Sequence, residues 1–362
     1  MLKITSILGA RPQFIKASAL SRGISTFNKN SEKIRETIIH TGQHFDKRMS
    51  NIFFKELKIP SPKYNLRIGG GSHGENTGRM IEKIEKKILK ESPDLCIIYG
   101  DTDSTLAAAI AASKLNIPIA HIEAGLRSGN KNMPEEINRI LADHCSDFLF
   151  CPTLNAVKNL RNEGFSQKKV FNVGDIMFDN FLYYKMHQKR PSKLSSDFYH
   201  NFIFCTIHRA ENTEKKEYFF EIISLLNKLS KEKKILFSAH PRTKKLLSSY
   251  KDLNISKNII LINPLSMFET FWALNNCSYV LTDSGGLQKE AYFAKKKCIT
   301  LRDQTEWIEL LDLQANLLLP PLSKNKDEKI LKFKSKKTSY TKKPYGKGEA
   351  SKKILSIIHE IL

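Results

Sequence analysis

The sequence predicts an α/β protein made of two parallel-sheet domains, and three observations carry that prediction. Apolar runs rich in Ile, Val and Phe alternate with longer amphipathic stretches along nearly the whole chain, the pattern of repeated βα units. With 362 residues, 41% of them hydrophobic, the chain is long enough for two cores of ordinary size. Between them, residues 183–200 are polar, contain Pro191 and carry no strand signal, so the break falls near residues 180–200.

In order along the first half, strands are expected at residues 4–8, 37–40, 95–99, 117–122, 148–150 and 170–173. The second half has its own set at 202–207, 235–238, 259–262, 279–281 and 298–301. Residues 349–362 place Ile354, Leu355, Ile357, Ile358 and Ile361 at helical spacing, after a turn at Gly346 and Gly348. The expected division is therefore 1–185, 186–345 and a closing helical segment, 346–362. Open parallel sheets bind ligands beyond the carboxyl ends of their strands, and this chain keeps its polar motifs there.

Composition narrows the function classes. A net charge of +22 would suit a nucleic-acid partner, but no zinc finger, aromatic RNA-binding motif or basic heptad region accompanies it. Much of the excess is lysine, notably between Lys324 and Lys353, so a lysine-rich composition accounts for it, with a field that favours anionic substrates. No apolar run approaches the roughly 20 residues of a membrane span, and the short apolar stretch at residues 4–8 runs into Gly9 and Arg11 rather than a signal-peptide layout. These features predict a cytoplasmic protein. Cys96, Cys145, Cys151, Cys205, Cys277 and Cys298 lie mostly in or beside apolar runs with no CxxC pair, the placement of reduced core residues; no metal site is expected.

The strongest phosphate-binding signal is the strand ending before Thr282-Asp-Ser284, followed by Gly285, Gly286 and a helix. Glycines let a pyrophosphate approach the backbone, and free N–H groups with the helix dipole then face the anion. Glu290, one turn on, is placed to accept from ribose hydroxyls. Gly9-Ala-Arg11-Pro12 also links a strand to a helix, so Arg11 and Lys16 can meet phosphate, and Arg302 follows a third strand. Each would be unremarkable alone; three basic or N–H-rich strand ends favour a diphosphate.

Asp101 follows one expected strand and Glu123 the next, and successive parallel strands are often neighbours. Two carboxylates in one small volume repel, which separates their proton affinities and provides an acid and a base. Ordinary roles are also open to them: Asp101 as a helix cap, Glu123 as the partner of Arg127. Glu135 and Glu136 open a helix, where the dipole favours carboxylates whatever the function. His208, with Arg209 beside it, and His240, more weakly, occupy strand ends in the second half.

Taken in order, GARPQFIK, TGQH, GDTDST, HIEAGLR, MPEEINR, HRAEN, LTDSGGLQKEA and PYGKGEASKKI resemble the non-hydrolysing UDP-N-acetylglucosamine 2-epimerases over essentially the full chain. The resemblance implies two Rossmann-like domains in a glycosyltransferase-B architecture, UDP held mainly by the second, the last helix returning to the first, and a homodimer. It implies removal of the C2 proton, loss of UDP to give a 2-acetamidoglycal, and recombination with the proton on the opposite face, without a cofactor. By motif position, proton transfer falls to Asp101, Glu123 and Glu135, and diphosphate or acid assistance to His208. Arg11, Lys16, Ser284, Gly285, Gly286, Glu290 and Arg302 become UDP contacts; Gln43, His44, Arg127, Arg209 and His240 complete the expected substrate-binding set. Relatives with a second, activating substrate molecule bind it through residues after the Gln-His pair, where this chain has Phe45 and Asp46. That departure, the short loop between Arg127 and Met133, and Glu306-Trp307 look closer to the subgroup acting on UDP-2,3-diacetamido-2,3-dideoxyglucuronate, with Lys131 a candidate for the uronate carboxylate. A UDP-sugar glycosyltransferase of the same architecture is the competing class, with a hydrolysing epimerase third and a nucleic-acid binder last.

Overall fold

The computed structural model describes residues 1–30, 34–43, 54, 57, 59–192, 194–195, 198–250 and 253–362. It divides into one unit of Met1–Asn180 with Pro344–Leu362 and a second of Phe181–Lys343.

The first unit is built on a parallel sheet: β1 (Leu2–Leu8), β2 (Ile34–His40), β3 (Tyr64–Asn65), β4 (Leu95–Tyr99), β5 (Ile119–Ile122), β6 (Phe148–Cys151) and β7 (Val170–Asn172). Its order is β3-β2-β1-β4-β5-β6-β7. The strands are mostly unbroken apolar runs because helices cover both faces. These helices are α1 (Arg11–Asn30), α2 (His73–Glu91), α3 (Asp103–Lys114), α4 (Pro134–Cys145) and α5 (Leu154–Asn162), with α6 (Ile176–Tyr184) leading out. On α3, Ala107, Ala108, Ala109, Ala111 and Ala112 are all buried; side chains this small let α2 and α4 pack closely on either side.

The second unit repeats the plan. In chain order it contains β8 (Phe202–Thr206), α7 (Ala210–Glu214), α8 (Lys216–Leu229), β9 (Ile235–Ser238), α9 (Pro241–Ser249), β10 (Ile259–Ile262), α10 (Met267–Asn276) and β11 (Cys277–Thr282). It continues with α11 (Gly285–Phe293), β12 (Lys297–Thr300), α12 (Ile308–Asp312), β13 (Asn316–Leu318) and α13 (Lys326–Ser335). The parallel order is β10-β9-β8-β11-β12-β13. Ile203, Phe219, Leu226, Phe237, Leu281 and Ile299 form part of its core.

The chain then returns to the first unit as α14 (Ala350–Ile361), which packs on α1. Close packing explains Gly23: a Cβ there would lie 2.9 Å from Leu355 Cδ1. The Asp179 carboxylate fixes the start of α14, accepting from Ala350 N at 3.0 Å and from Ser351 N and Oγ at 2.8 and 2.7 Å.

Every expected strand is present, with ends shifted by a few residues. The edge strands β3 and β13 are additions; at two and three residues they are too short to show an alternation. All six cysteines are free and five are buried, with burial pushing the Cys96 thiol up to about 12. Among the described residues no helix is long and apolar enough to cross a membrane.

Candidate active site

In each sheet the strand order reverses at one gap, between β1 and β4 in the first unit and between β8 and β11 in the second. Helices leave these neighbouring strands in opposite directions, so a crevice opens beyond their carboxyl ends. The sequence motifs lie there: Gly9-Ala-Arg11 and Gly100-Asp101 in the first unit, His208-Arg209 and Asp283-Ser284-Gly285 in the second.

In the first unit, β4 and β5 pair with Tyr99 opposite Ile122, and Gly100 N donates to Ile122 O at 2.9 Å. Asp101 and Glu123 therefore emerge side by side. Asp101 is not the cap of α3. Thr102 accepts from Thr105 N there and completes a capping box, leaving the Asp101 carboxylate to Arg139 of α4. Glu123 does not pair with Arg127; it forms an ion pair with Lys16 of α1. That pair lies over Gly100, where a Cβ would fall 2.8 Å from Lys16 Nζ and 3.5 Å from Glu123 Oε1. Gly100 has φ +64°, which glycine tolerates best, and Glu123 itself is held at φ +75°, uncommon for a residue with a Cβ. Backbone strain at an acid beyond a strand end suits a functional position.

Several expected contacts are spent differently. Lys16, expected on a phosphate, is buried against Glu123. Arg127, expected on substrate, gives Nε and Nη2 to Glu163 at 2.7 Å each and Nη1 to Asp143 at 2.7 Å. Gln43 turns its amide oxygen to Ser104 N and Oγ at 3.1 and 2.7 Å, while His44 lies outside the described residues. Of the two acids opening α4, Glu135 is exposed. Glu136 is buried and accepts from Ser128 N and Oγ, Gly129 N and Arg139 Nη1, which shapes the loop after Arg127. Arg11 stands at the first position of α1, partly exposed.

The second unit gathers donors around buried Asp283. This carboxylate accepts from His208 N and Arg209 N at about 3 Å, from Asn212 Nδ2 at 3.2 Å, and faces His208 Nδ1 at 3.0 Å. Burial pushes Asp283 up, but the His208 hydrogen bond and charge and the two N–H groups more than reverse that and hold it below the ordinary carboxylate range. His208 keeps 44% of its side chain exposed. His240 caps α9 nearby, its pKa lowered by burial, then by the His208 and Arg242 charges.

At the start of α11, Ser284 makes no side-chain cap, and nothing lies within 4 Å of where a Gly286 Cβ would stand. The helix N-terminus thus presents backbone to open space. Gly285 faces Arg302 and Glu306, 3.9 and 3.7 Å from its own missing Cβ. Arg302 is buried and forked onto Glu306 at 3.0 and 3.1 Å, so this cation reaches the crevice already paired. Glu290 is partly exposed one turn further on.

Residues 27–359 match the family model described as UDP-N-acetylglucosamine 2-epimerase. The chain belongs to that family. It is 47% identical to UDP-2,3-diacetamido-2,3-dideoxy-D-glucuronate 2-epimerase of Pseudomonas aeruginosa, over 99% of this chain and all of that one. Its structure is similar to that of Methanocaldococcus jannaschii UDP-GlcNAc 2-epimerase, solved in complex with UDP-GlcNAc and UDP, with a TM-score of 0.87, 41% identity and coverage of 99% and 100%. A lipopolysaccharide outer core galactosyltransferase, 15% identical with a TM-score of 0.58 over both full chains, shares the fold alone, of glycosyltransferase-B type.

Within this epimerase-family chain, the motif residues rest on supports that lie outside most of the motifs' own chemistry. Asn138, Arg139 and Asp143 on α4, His121 within β5, and Asn212 and Asp283 in the second unit are buried polar groups that orient the strand ends. A signal existed for two of them. His121 interrupts an apolar strand and Asp283 precedes a glycine pair after another, and a polar group in such a place needs a partner.

Proposed function

We propose that the protein inverts C2 of a UDP-linked 2-acetamido sugar, converting UDP-N-acetylglucosamine to UDP-N-acetylmannosamine. The observation that carries this is the pair of carboxylates, Asp101 and Glu123, leaving neighbouring strands, each against its own cation. One removes the C2 proton as the C1–oxygen bond breaks, the electron pair leaving with UDP to give a 2-acetamidoglycal. Return of the UDP oxygen to C1 with protonation of C2 from the other face gives the epimer. Acid, base and a stabilised leaving group suffice for both halves. The α11 N-terminus, Arg302 and His208 hold the diphosphate, and the exposed Glu135 remains available as a third proton carrier. A homodimer and a cytoplasmic location belong to the same proposal, the first on the family resemblance, the second on a soluble nucleotide-sugar substrate.

A second reading of the sugar is favoured by the 47% identity to the diacetamido-glucuronate epimerase, with exposed Lys131 free to meet a uronate carboxylate. Proton NMR in deuterated water with each UDP-sugar tests both. Deuterium at C2 together with a manno-configured product identifies the substrate; UDP binding without exchange on either sugar would sink the proposal in favour of a glycosyltransferase. Loss of activity on the uronate alone in Lys131→Ala would place the carboxylate at Lys131.

A further inference from the structure

His121 and Asp143 lie beneath the acid-bearing strand ends, both side chains 0% exposed. His121 Nε2 is 2.7 Å from the Gly100 carbonyl, the residue before Asp101, and its Nδ1 is 2.7 Å from Asp143 Oδ1. The other Asp143 oxygen accepts from Gly125 N at 3.1 Å, two residues beyond Glu123, and from Arg127 at 2.7 Å. One buried pair thus bridges the β4 end and the β5 end. The helix that brings Asp143 also brings Asn138, which donates to the Asp101 carbonyl at 3.1 Å, and Arg139, which holds its carboxylate.

We propose that His121 and Asp143 are the positioning pair of the proposed epimerisation, holding Asp101 and Glu123 at a fixed separation through the Gly100 carbonyl and the Gly125 N–H. The inference rests on the function proposed above. Neither ring nitrogen is free to meet a substrate, so the pair acts through the backbone. A carbonyl can only accept, and the same holds for an ionised carboxylate, so the geometry asks each ring nitrogen for an N–H. The carboxylate is ionised: burial pushes Asp143 up, but the His121 hydrogen bond and charge, with Arg127, hold it below its ordinary range. A singly protonated ring would turn a lone pair toward one acceptor, and one strand end would lose its tie.

The test uses the full-length protein labelled with ¹⁵N-histidine, together with Asp143→Asn and His121→Asn. In the wild type both His121 ring nitrogens are expected to give the shifts of hydrogen-bonded N–H groups, and one is expected to lose that signature in Asp143→Asn. Displacement of reacting groups by an ångström costs on the order of 100-fold. Both variants are therefore expected to lose about that much kcat and C2 exchange, with KM and UDP affinity within about 3-fold of wild type. A singly protonated ring in the wild type overturns the proposal, whether or not a variant folds. So does kcat retained within about 3-fold, or kcat, UDP affinity and Tm falling together, which marks a merely structural pair. A wild type inactive on both sugars removes the proposed function while leaving the ring result to stand by itself.

Discussion

Each unit places a histidine against a buried aspartate, and the two pairs differ in one respect. In the first unit His121 is fully buried and both its nitrogens are occupied; in the second, His208 leans on Asp283 with nearly half its surface open to solvent. The same side chains are thus fully enclosed in one place and left partly open in the other. Burial decides what each can do, because a ring with an open edge can reach a ligand and an enclosed one can only hold its neighbours. The strand ends differ in the same way. The first unit offers carboxylates already matched to Lys16 and Arg139, the second a helix start with uncapped N–H groups. Proton transfer is expected from the first and diphosphate recognition from the second.

Substitution at the acids separates the two most strongly. Asp101→Asn and Glu123→Gln are each expected to lower kcat by about 10³ while UDP binding, by calorimetry, stays unchanged. An equal loss of UDP affinity would break the division of labour. At the other end, Asp283→Asn frees His208 and leaves the two N–H groups a weaker acceptor, so kcat and UDP affinity are expected to fall together, by about 10². Arg302→Lys keeps the charge but loses the fork onto Glu306, and UDP affinity is expected to fall about 10-fold with kcat nearly unchanged.

Smaller effects concern stability against pH. Asp143 and Asp283 titrate lower in the folded protein than in the unfolded chain, so their stabilisation is present above the unfolded value and lost as pH falls through the folded one. The Tm is expected to drop below about pH 4, less steeply in Asp143→Asn and Asp283→Asn. Glu36 is the contrasting case, a half-buried acid with hydroxyl partners Ser6 and Ser21 where those two have a histidine. Burial raises it despite these bonds, so its stabilisation is full below the unfolded value and lost as pH rises through the folded one. Glu36→Gln is expected to raise Tm relative to wild type at about pH 8, with the advantage vanishing near pH 4. An advantage that is the same at both pH values would show that charge is not its cause.

The sequence by itself determined the strands, since an unbroken run such as Leu95–Tyr99 can satisfy its side chains only when buried on both faces. It also determined which residues follow each strand, and hence that Asp101, Glu123, His208 and Ser284 lie at carboxyl ends. Motif order carried the family. Tertiary structure alone decided which strands flank the reversals and which charges meet. Lys16 and Glu123, 107 residues apart, and Asp101 and Arg139, 38 apart, are joined by sheet order and by the seating of α1 and α4. Local spacing favoured Arg127 for Glu123 because it sees only the neighbouring turn. In the fold Arg127 goes to Asp143 and Glu163, since a buried carboxylate needs donors from whichever element packs against it.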